Sequence, residues 1–495
     1  MKHKITRLLC GVLAMCQVFT MTAFAKPDWP YDTGIQAEAG SLMDVDSGTM
    51  IFGQNSHVEY PPASITKILT ALIVLENVED LSETVTFTES AMMNVEADSG
   101  NKLSLVIGDT MTVEDALYAL LLQSVNQSAN ALAEHVAGSM SAFVDMMNEK
   151  LVELGCQDSH FENPSGLNGD TQNVSSYDMA LIACAAFSNE KLLEISSTKS
   201  HKIGALENHP DGITVNQEHR LVITEDPDSE YYCPEAVSGK TGYLLKAGNT
   251  LVTYAEKDGR RLVSVILKGS PRQYFIDGKE LLRFGFESFY NVDIAENETN
   301  YVTGDTAVVI GENSYAPSEL MIEEGREITL PNDAAFADAE LTLVDMPEDH
   351  PDNAVGLLQY TYNERKIGQA YLLLKNYTAP VDADAAGSAE PESSVVVDGQ
   401  ESVPETDAVE ADDAKEAAAA ANGNAGGSGF PVIPVLVVLL LAAAGGGGYY
   451  WITNERKREA EEAAKRRERR RQRLQEMGDD AEFERLMEEK RQRRK

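Results

Sequence analysis

Positive charge is scarce in this chain: 41 Lys and Arg stand against 80 Asp and Glu over 495 residues, a formal charge of −39. A nucleic-acid binder needs a basic face to replace phosphate counterions, so that class is excluded. Cysteine is scarce too, with five in all, and Cys10 and Cys16 fall in an N-terminal segment expected to be removed. The remaining Cys156, Cys184 and Cys233 cannot close a disulfide framework, and no two lie at metal-ligand spacing, so free buried thiols are expected. The eight histidines contain no His-x-x-x-His pair, which argues against a zincin-type metallopeptidase. No Gly-x-Ser-x-Gly elbow occurs, which argues against an α/β-hydrolase triad. Hydrophobic residues are not lacking: at 43% they suffice for real cores, so a wholly disordered chain is excluded.

The charge is unevenly distributed, and its distribution predicts a topology. Residues 1–25 carry Lys2, Lys4 and Arg7, no acid, an apolar stretch from Leu8 to Ala14, and the ending Ala23-Phe24-Ala25. That order reads as a secretory signal cleaved after Ala25. A second apolar run, 430–452, has 23 residues without a charge and ends in Tyr449-Tyr450-Trp451. As a helix it would be roughly 34 Å long, enough for a bilayer core of about 30 Å. The following tail, 453–495, holds 16 basic and 12 acidic residues, so the positive-inside rule puts it in the cytoplasm. Its interleaved Glu and Arg fit a solvated helix that touches anionic lipid. Everything from 26 to 429 is then extracytoplasmic and carries −46.

Residues 378–429 contain 12 acids, the single Lys415 and no aromatic, and are read as a disordered acidic tether. The folded part, 26–377, divides in two. Residues 26–290 mix strands and helices: Leu42-Met43-Asp44 and Met50-Ile51-Phe52 flank an Asp46-Ser47-Gly48 turn, helical patterns run over Ile65–Leu75 and Val113–Val136, and Leu251–Leu267 folds back at Asp258-Gly259. Residues 291–377 carry only short β-like segments and read as a small all-β domain.

Three short motifs carry chemistry. In Pro61-Pro62-Ala63-Ser64-Ile65-Thr66-Lys67 the prolines stop the preceding segment and a helix begins, which puts Lys67 on the face of Ser64. Ser64 alone would be read as a helix cap. Leu122-Gln123-Ser124-Val125-Asn126 ends an apolar helical stretch, and Ser128-Ala129-Asn130 repeats the Ser-x-Asn pattern four residues later. Ser238-Gly239-Lys240-Thr241-Gly242-Tyr243 leads into the hairpin, as an edge strand whose glycine admits a ligand to the backbone.

In this order, Ser64–Lys67, Ser124–Asn126 and Lys240–Gly242 resemble the Ser-x-x-Lys, Ser-x-Asn and Lys-Thr-Gly motifs of penicillin-interacting serine enzymes. Within them the chain is most similar to the low-molecular-weight penicillin-binding proteins that act as D-alanyl-D-alanine carboxypeptidases. Asn163-Pro164-Ser165-Gly166-Leu167 and Leu281-Leu282-Arg283-Phe284-Gly285-Phe286 add to the likeness, which covers roughly residues 35–290 well and the β segments more loosely. The resemblance implies an α/β (α+β) penicillin-binding/β-lactamase-like serine transpeptidase fold, followed by a small all-β domain and one C-terminal transmembrane helix.

It further implies that Ser64 is the nucleophile, Lys67 its base, Ser124 a proton relay and Asn126 a holder of Lys67 and substrate. Lys240, Thr241, Gly242 and Tyr243 would form the substrate strand, with the N–H groups of Ser64 and Tyr243 as oxyanion hole. Expected partners are peptidoglycan stems ending in D-Ala-D-Ala, β-lactams as covalent inhibitors and membrane lipid, with no cofactor and no nucleic acid. A class A-like β-lactamase remains a rival, although Pro164 stands where its deacylating glutamate would be and only Glu162 lies close by. A catalytically silent wall-binding surface protein is the second rival. Ser124 is preferred over Ser128 because the family's motif follows a leucine-rich helix end. Arg272 is a further candidate for the substrate carboxylate.

Overall fold

The computed structural model describes residues 26–96, 99–347 and 349–377. The expected signal (1–25), acidic tether (378–429), membrane span (430–452) and basic tail (453–495) lie outside them. Among the described residues no helix is long and apolar enough to cross a membrane.

Five strands build the central sheet: β1 (Ala39–Asp44), β2 (Met50–Gln54), β3 (Ala236–Leu244), β4 (Gly248–Lys257) and β5 (Arg260–Gly269). Their order is β2-β1-β5-β4-β3, antiparallel throughout, so the strand carrying Lys240 is an edge strand. The turn between β1 and β2 forms at Asp46-Ser47-Gly48 because Asp44 Oδ1 accepts from the N–H groups of Asp46 and Ser47 at 3.2 and 3.0 Å. The hairpin of β4 and β5 turns at Asp258 and Gly259, both at positive φ.

Both faces of this sheet are covered, as strands with near-continuous apolar residues require. Along β5, Val263, Val265 and Leu267 face one core and Leu262 and Ile266 the other. The first core is helical: α1 (Lys67–Asn77), α2 (Val113–Leu122), α3 (Asn126–Ala137) and α4 (Ser176–Ser188) contribute to it. The stretch 113–136, expected as one helical pattern, is two helices. Residues 123–125 interrupt it, with Ser124 at φ +57°, a conformation that α-helix cannot contain.

The second core is built from α5 (Gln273–Ser288) and the β-rich section that follows. There β6 (Phe289–Asp293) pairs with β8 (Glu327–Pro331), while β7 (Leu320–Ile322), β9 (Glu340–Val344), β10 (Ala354–Tyr362) and β11 (Arg365–Leu374) form a sheet ordered β7-β11-β10-β9. The two sections share apolar packing. Leu42, Ile266, Leu282, Leu330 and Tyr362 belong to one buried cluster, and β6 crosses the boundary expected between 290 and 291. Trp29 fastens the N-terminal segment to it, its ring tilted against Phe289 with centroids 4.8 Å apart and its Nε1 donating to the Ile51 carbonyl at 2.8 Å.

A polar weld accompanies the apolar one. Fully buried Asp44 meets Arg260 at 3.0 Å, Arg260 donates to the carbonyls of Gly285 and Phe289, and Asn291 bridges Asp44 and Glu327. Removing one partner of such a pair leaves the other charge buried and uncompensated. Arg260→Met should therefore cost about 3–5 kcal/mol of stability, read from the denaturant midpoint of the purified chain. A loss below 1 kcal/mol would mean that Asp44 finds water or another partner.

Candidate active site

Two prolines end the segment before the site, and Ala63 then adopts φ +53°. A non-glycine residue in that region stores strain that the surroundings must hold. Here Thr250 Oγ1 donates to the Pro62 carbonyl at 2.9 Å and Thr66 Oγ1 to the Ala63 carbonyl at 2.9 Å. Residues Ala63–Thr66 form one 3-10 turn that runs into α1, so Ser64 and Lys67 are stacked one turn apart. Lys67 Nζ lies 3.1 Å from Ser64 Oγ.

Lys67 is completely buried, and three oxygens surround its amine: Ser64 Oγ, Asn126 Oδ1 at 2.8 Å and the Ser165 carbonyl. Burial holds its pKa well below that of an ordinary lysine, with the charges of Lys240 and Lys102 pushing the same way and Glu218 opposing them. The break between α2 and α3 turns Ser124 into the cleft and starts α3 at Asn126. The second Ser-x-Asn faces inward: Asn130 donates to the carbonyls of Ala91 and Asn94, and Ser128 Oγ is buried without a partner. Of the two segments, 124–126 reaches Lys67 and 128–130 does not.

The edge strand β3 forms the opposite wall. A Cβ on Gly242 would lie 2.4 Å from Thr250 Oγ1 and 2.9 Å from the Ser64 nitrogen, so only glycine lets the strand pass this close to the turn. Thr241, Gly242 and the largely exposed Tyr243 line the cleft, while Lys240 is buried behind them and donates to the Thr241 carbonyl at 2.7 Å. Burial pushes Lys240 down to about 7, against the nearby Glu218 that raises it. The cleft, about 240 Å³, is bordered besides by Lys102, Glu218 and Leu167.

Several participants were not visible in the sequence. The Ser165 carbonyl reaches Lys67 because Asn163 Oδ1 gathers the Gly166 and Leu167 N–H groups and folds the loop inward. Lys102 and Glu218 are ordinary charged residues with no motif around them. His219 is fully buried beside Gly239, its Nε2 3.2 Å from the Val252 carbonyl, and burial holds it neutral with a pKa of about 3. Arg272 is exposed and does not border the cleft.

Glu162 does not reach the cleft either. It lies in its own loop, accepting from the Thr171 hydroxyl and from the N–H groups of Thr171 and Asp170, which hold its pKa below the usual range. The three cysteines are free, Cys233 buried and the others half-buried, and burial raises all three thiols, Cys233 to about 11. They are poor nucleophiles in this state. Among the described residues no cluster of His, Cys, Asp and Glu could hold a metal ion.

A serine hydroxyl against a buried lysine, a Ser-x-Asn helix start and a Lys-Thr-Gly edge strand define the penicillin-interacting class of serine enzymes. Residues 23–270 match the profile of the peptidase S11 family, described as D-alanyl-D-alanine carboxypeptidase, and the chain belongs to that family. D-alanyl-D-alanine carboxypeptidase DacB2 of Mycobacterium tuberculosis is 33% identical over 266 residues, covering 52% of this chain and 84% of that protein. DacF of Bacillus subtilis is 29% identical over 296 residues, covering 58% of this chain and 72% of its own. In fold the chain is similar to penicillin binding protein 5 from Haemophilus influenzae, with a TM-score of 0.54 at 22% identity over 71% of this chain and 98% of that one. Penicillin binding protein 6B from Escherichia coli gives 0.52 at 24% identity, covering 70% and 98%.

Proposed function

We propose that the protein is a serine peptidase that removes the terminal D-alanine from peptidoglycan pentapeptide stems through an acyl-enzyme on Ser64. The observation that carries this reading is the contact of buried Lys67 with Ser64 Oγ. A neutral amine has two N–H groups and one lone pair. With the N–H groups given to Asn126 Oδ1 and the Ser165 carbonyl, the lone pair is left for the Ser64 hydroxyl proton.

Ser64 Oγ attacks the carbonyl carbon of the penultimate D-alanine while its proton passes to Lys67. The oxyanion forms against the N–H groups of Ser64 and Tyr243. Collapse breaks the peptide bond, the leaving amine takes a proton by way of Ser124, and D-alanine departs. Water then attacks the ester, giving a proton to Lys67, which returns it to Ser64 Oγ as the ester bond breaks, and the shortened stem leaves as a carboxylic acid. Lys240 and Thr241 receive the terminal carboxylate and Asn126 the substrate amide. No step calls for a cofactor. β-Lactams would acylate the same serine and stay, because Glu162 is held away and Pro164 offers no base for deacylation.

The reading divides the described residues into a catalytic domain over 26–290 and a β domain over 291–377, and extends to the residues outside them: a signal over 1–25, an acidic tether over 378–429, a membrane helix over 430–452 and a cytoplasmic tail over 453–495. On this reading the enzyme works outside the cell membrane, with its tail against anionic lipid.

The test is incubation of the full chain in detergent with a muramyl pentapeptide. One D-alanine per stem should appear, with the mass loss of one alanine residue; no release would favour the silent wall-binding reading. With a fluorescent penicillin the label should persist, and its rapid turnover would favour a β-lactamase.

The pH profile follows from the two lysines. Lys67 must be neutral to accept the proton, so kcat/KM should fall as pH drops through its depressed pKa. Lys240 must be charged to hold the carboxylate, so kcat/KM should fall again above about 7, while kcat holds to higher pH because bound carboxylate retains the proton. An activity that rises monotonically to pH 10 in both parameters would contradict this assignment.

A further inference from the structure

One ion pair in the cleft is unused by the mechanism above. Lys102 Nζ and a Glu218 carboxylate oxygen meet at 2.8 Å, both side chains border the cleft, and each is about two-fifths exposed, at 39% and 38%. Glu218 directly precedes His219, whose ring packs under Gly239, so this carboxylate sits at the Lys240 end of the cleft. Glu218 and Lys102 act in opposite senses on Lys240 and also on Lys67, so the pair stands within electrostatic reach of both lysines. The resting site therefore already holds one carboxylate next to two cations, where the preceding reading brings a second carboxylate, that of the substrate.

We propose that Glu218 is a specificity-determining residue: a built-in competitor for the substrate's terminal carboxylate, which occupies Lys102 in the empty cleft and weakens binding of any C-terminal acid. The proposal rests on the assignment of Lys240 and Thr241 to that carboxylate. A pair this exposed is held by little energy, so an entering carboxylate can displace it and take the Lys102 charge. The competitor limits how tightly acids in general, including the shortened product, are retained. Lys102 then acts as a positioning residue for the terminal acid, not for the reacting bond.

The experiment compares Glu218→Gln and Lys102→Gln with the unmodified full chain. Its substrate is diacetyl-L-lysyl-D-alanyl-D-alanine, with the C-terminal amide of the same peptide as an inhibitor, at low ionic strength. Glu218→Gln should lower KM for the acid about two- to fivefold, the size of an exposed ion-pair energy. Lys102→Gln should raise it by a similar factor. Neither variant should move the Ki of the amide, and added salt should shrink both effects. The change belongs in KM and not in kcat, a split that loss of packing would not produce. An unmoved or raised KM in Glu218→Gln, or an equal shift for acid and amide, overturns the proposal. A raised KM would mean that the intact Lys102–Glu218 pair helps to bind the acid. If the unmodified chain releases no D-alanine from this peptide, the functional reading itself fails and takes the proposal with it. If it does release D-alanine and KM stays fixed, only the role of Glu218 falls.

Discussion

Lys67→Gln should lower kcat for D-alanine release by about two to four orders of magnitude, the range expected for loss of a positioned general base. Acylation by penicillin should fall in parallel, because both reactions begin with the transfer of the Ser64 proton. The glutamine amide can still donate to Asn126 Oδ1 and the Ser165 carbonyl, but it offers no basic lone pair to Ser64. Stability should move the other way. A completely buried amine, flanked by Lys240 and freely able to charge when unfolded, is a burden on the fold, so the neutral variant should melt no lower than the parent. Rates and a thermal melt on the same preparation separate the two effects. An inactive variant that also melts far lower would point to misfolding, and a variant retaining a tenth of the activity would remove Lys67 from the role of base.

Gly166→Ala should be nearly as damaging, without touching a reacting group. Gly166 adopts φ +83°, and a Cβ there would lie 2.0 Å from the Ala63 carbonyl oxygen and 2.6 Å from its carbon. Something must move: either the turn that carries Ser64 or the loop whose Ser165 carbonyl holds Lys67. A displacement on the order of 1 Å costs a well-oriented site about 100-fold in rate, so penicillin acylation should drop by at least that factor. Gly259→Ala is the control. It stands at φ +84° in the hairpin turn of β4 and β5, with nothing within 4 Å of its Cβ position. It should cost about 1 kcal/mol in stability through backbone strain alone and leave acylation intact. Equal acylation rates in the two variants would show that the close approach at Gly166 is not what aligns the site.

The motifs were readable because each is local. Ser64 and Lys67 are one turn apart, and Lys240, Thr241 and Gly242 are consecutive on one edge strand, so each group is held together by its own few residues of chain. What spans the chain was not readable. The helical pattern reads through from Val113 to Val136, yet the helix breaks at 123–125, where Ser124 takes φ +57° and Asn126 meets Lys67, a contact 59 positions away that no local pattern shows. Lys102 and Glu218 are 116 positions apart and meet only through the fold. The β section reads as a separate unit from its short strands, but Leu330 and Tyr362 share one core with Leu42 and Ile266, and no pattern in the sequence announces that continuity.

The most direct measurement is the mass of the full chain after incubation with penicillin, followed by mapping of the modified peptide. One adduct equal to the mass of the antibiotic should appear on the peptide containing Ser64, and Ser64→Ala should carry none. An adduct on any other residue, or labelling that survives Ser64→Ala, would contradict the assignment of Ser64 as the nucleophile activated by Lys67.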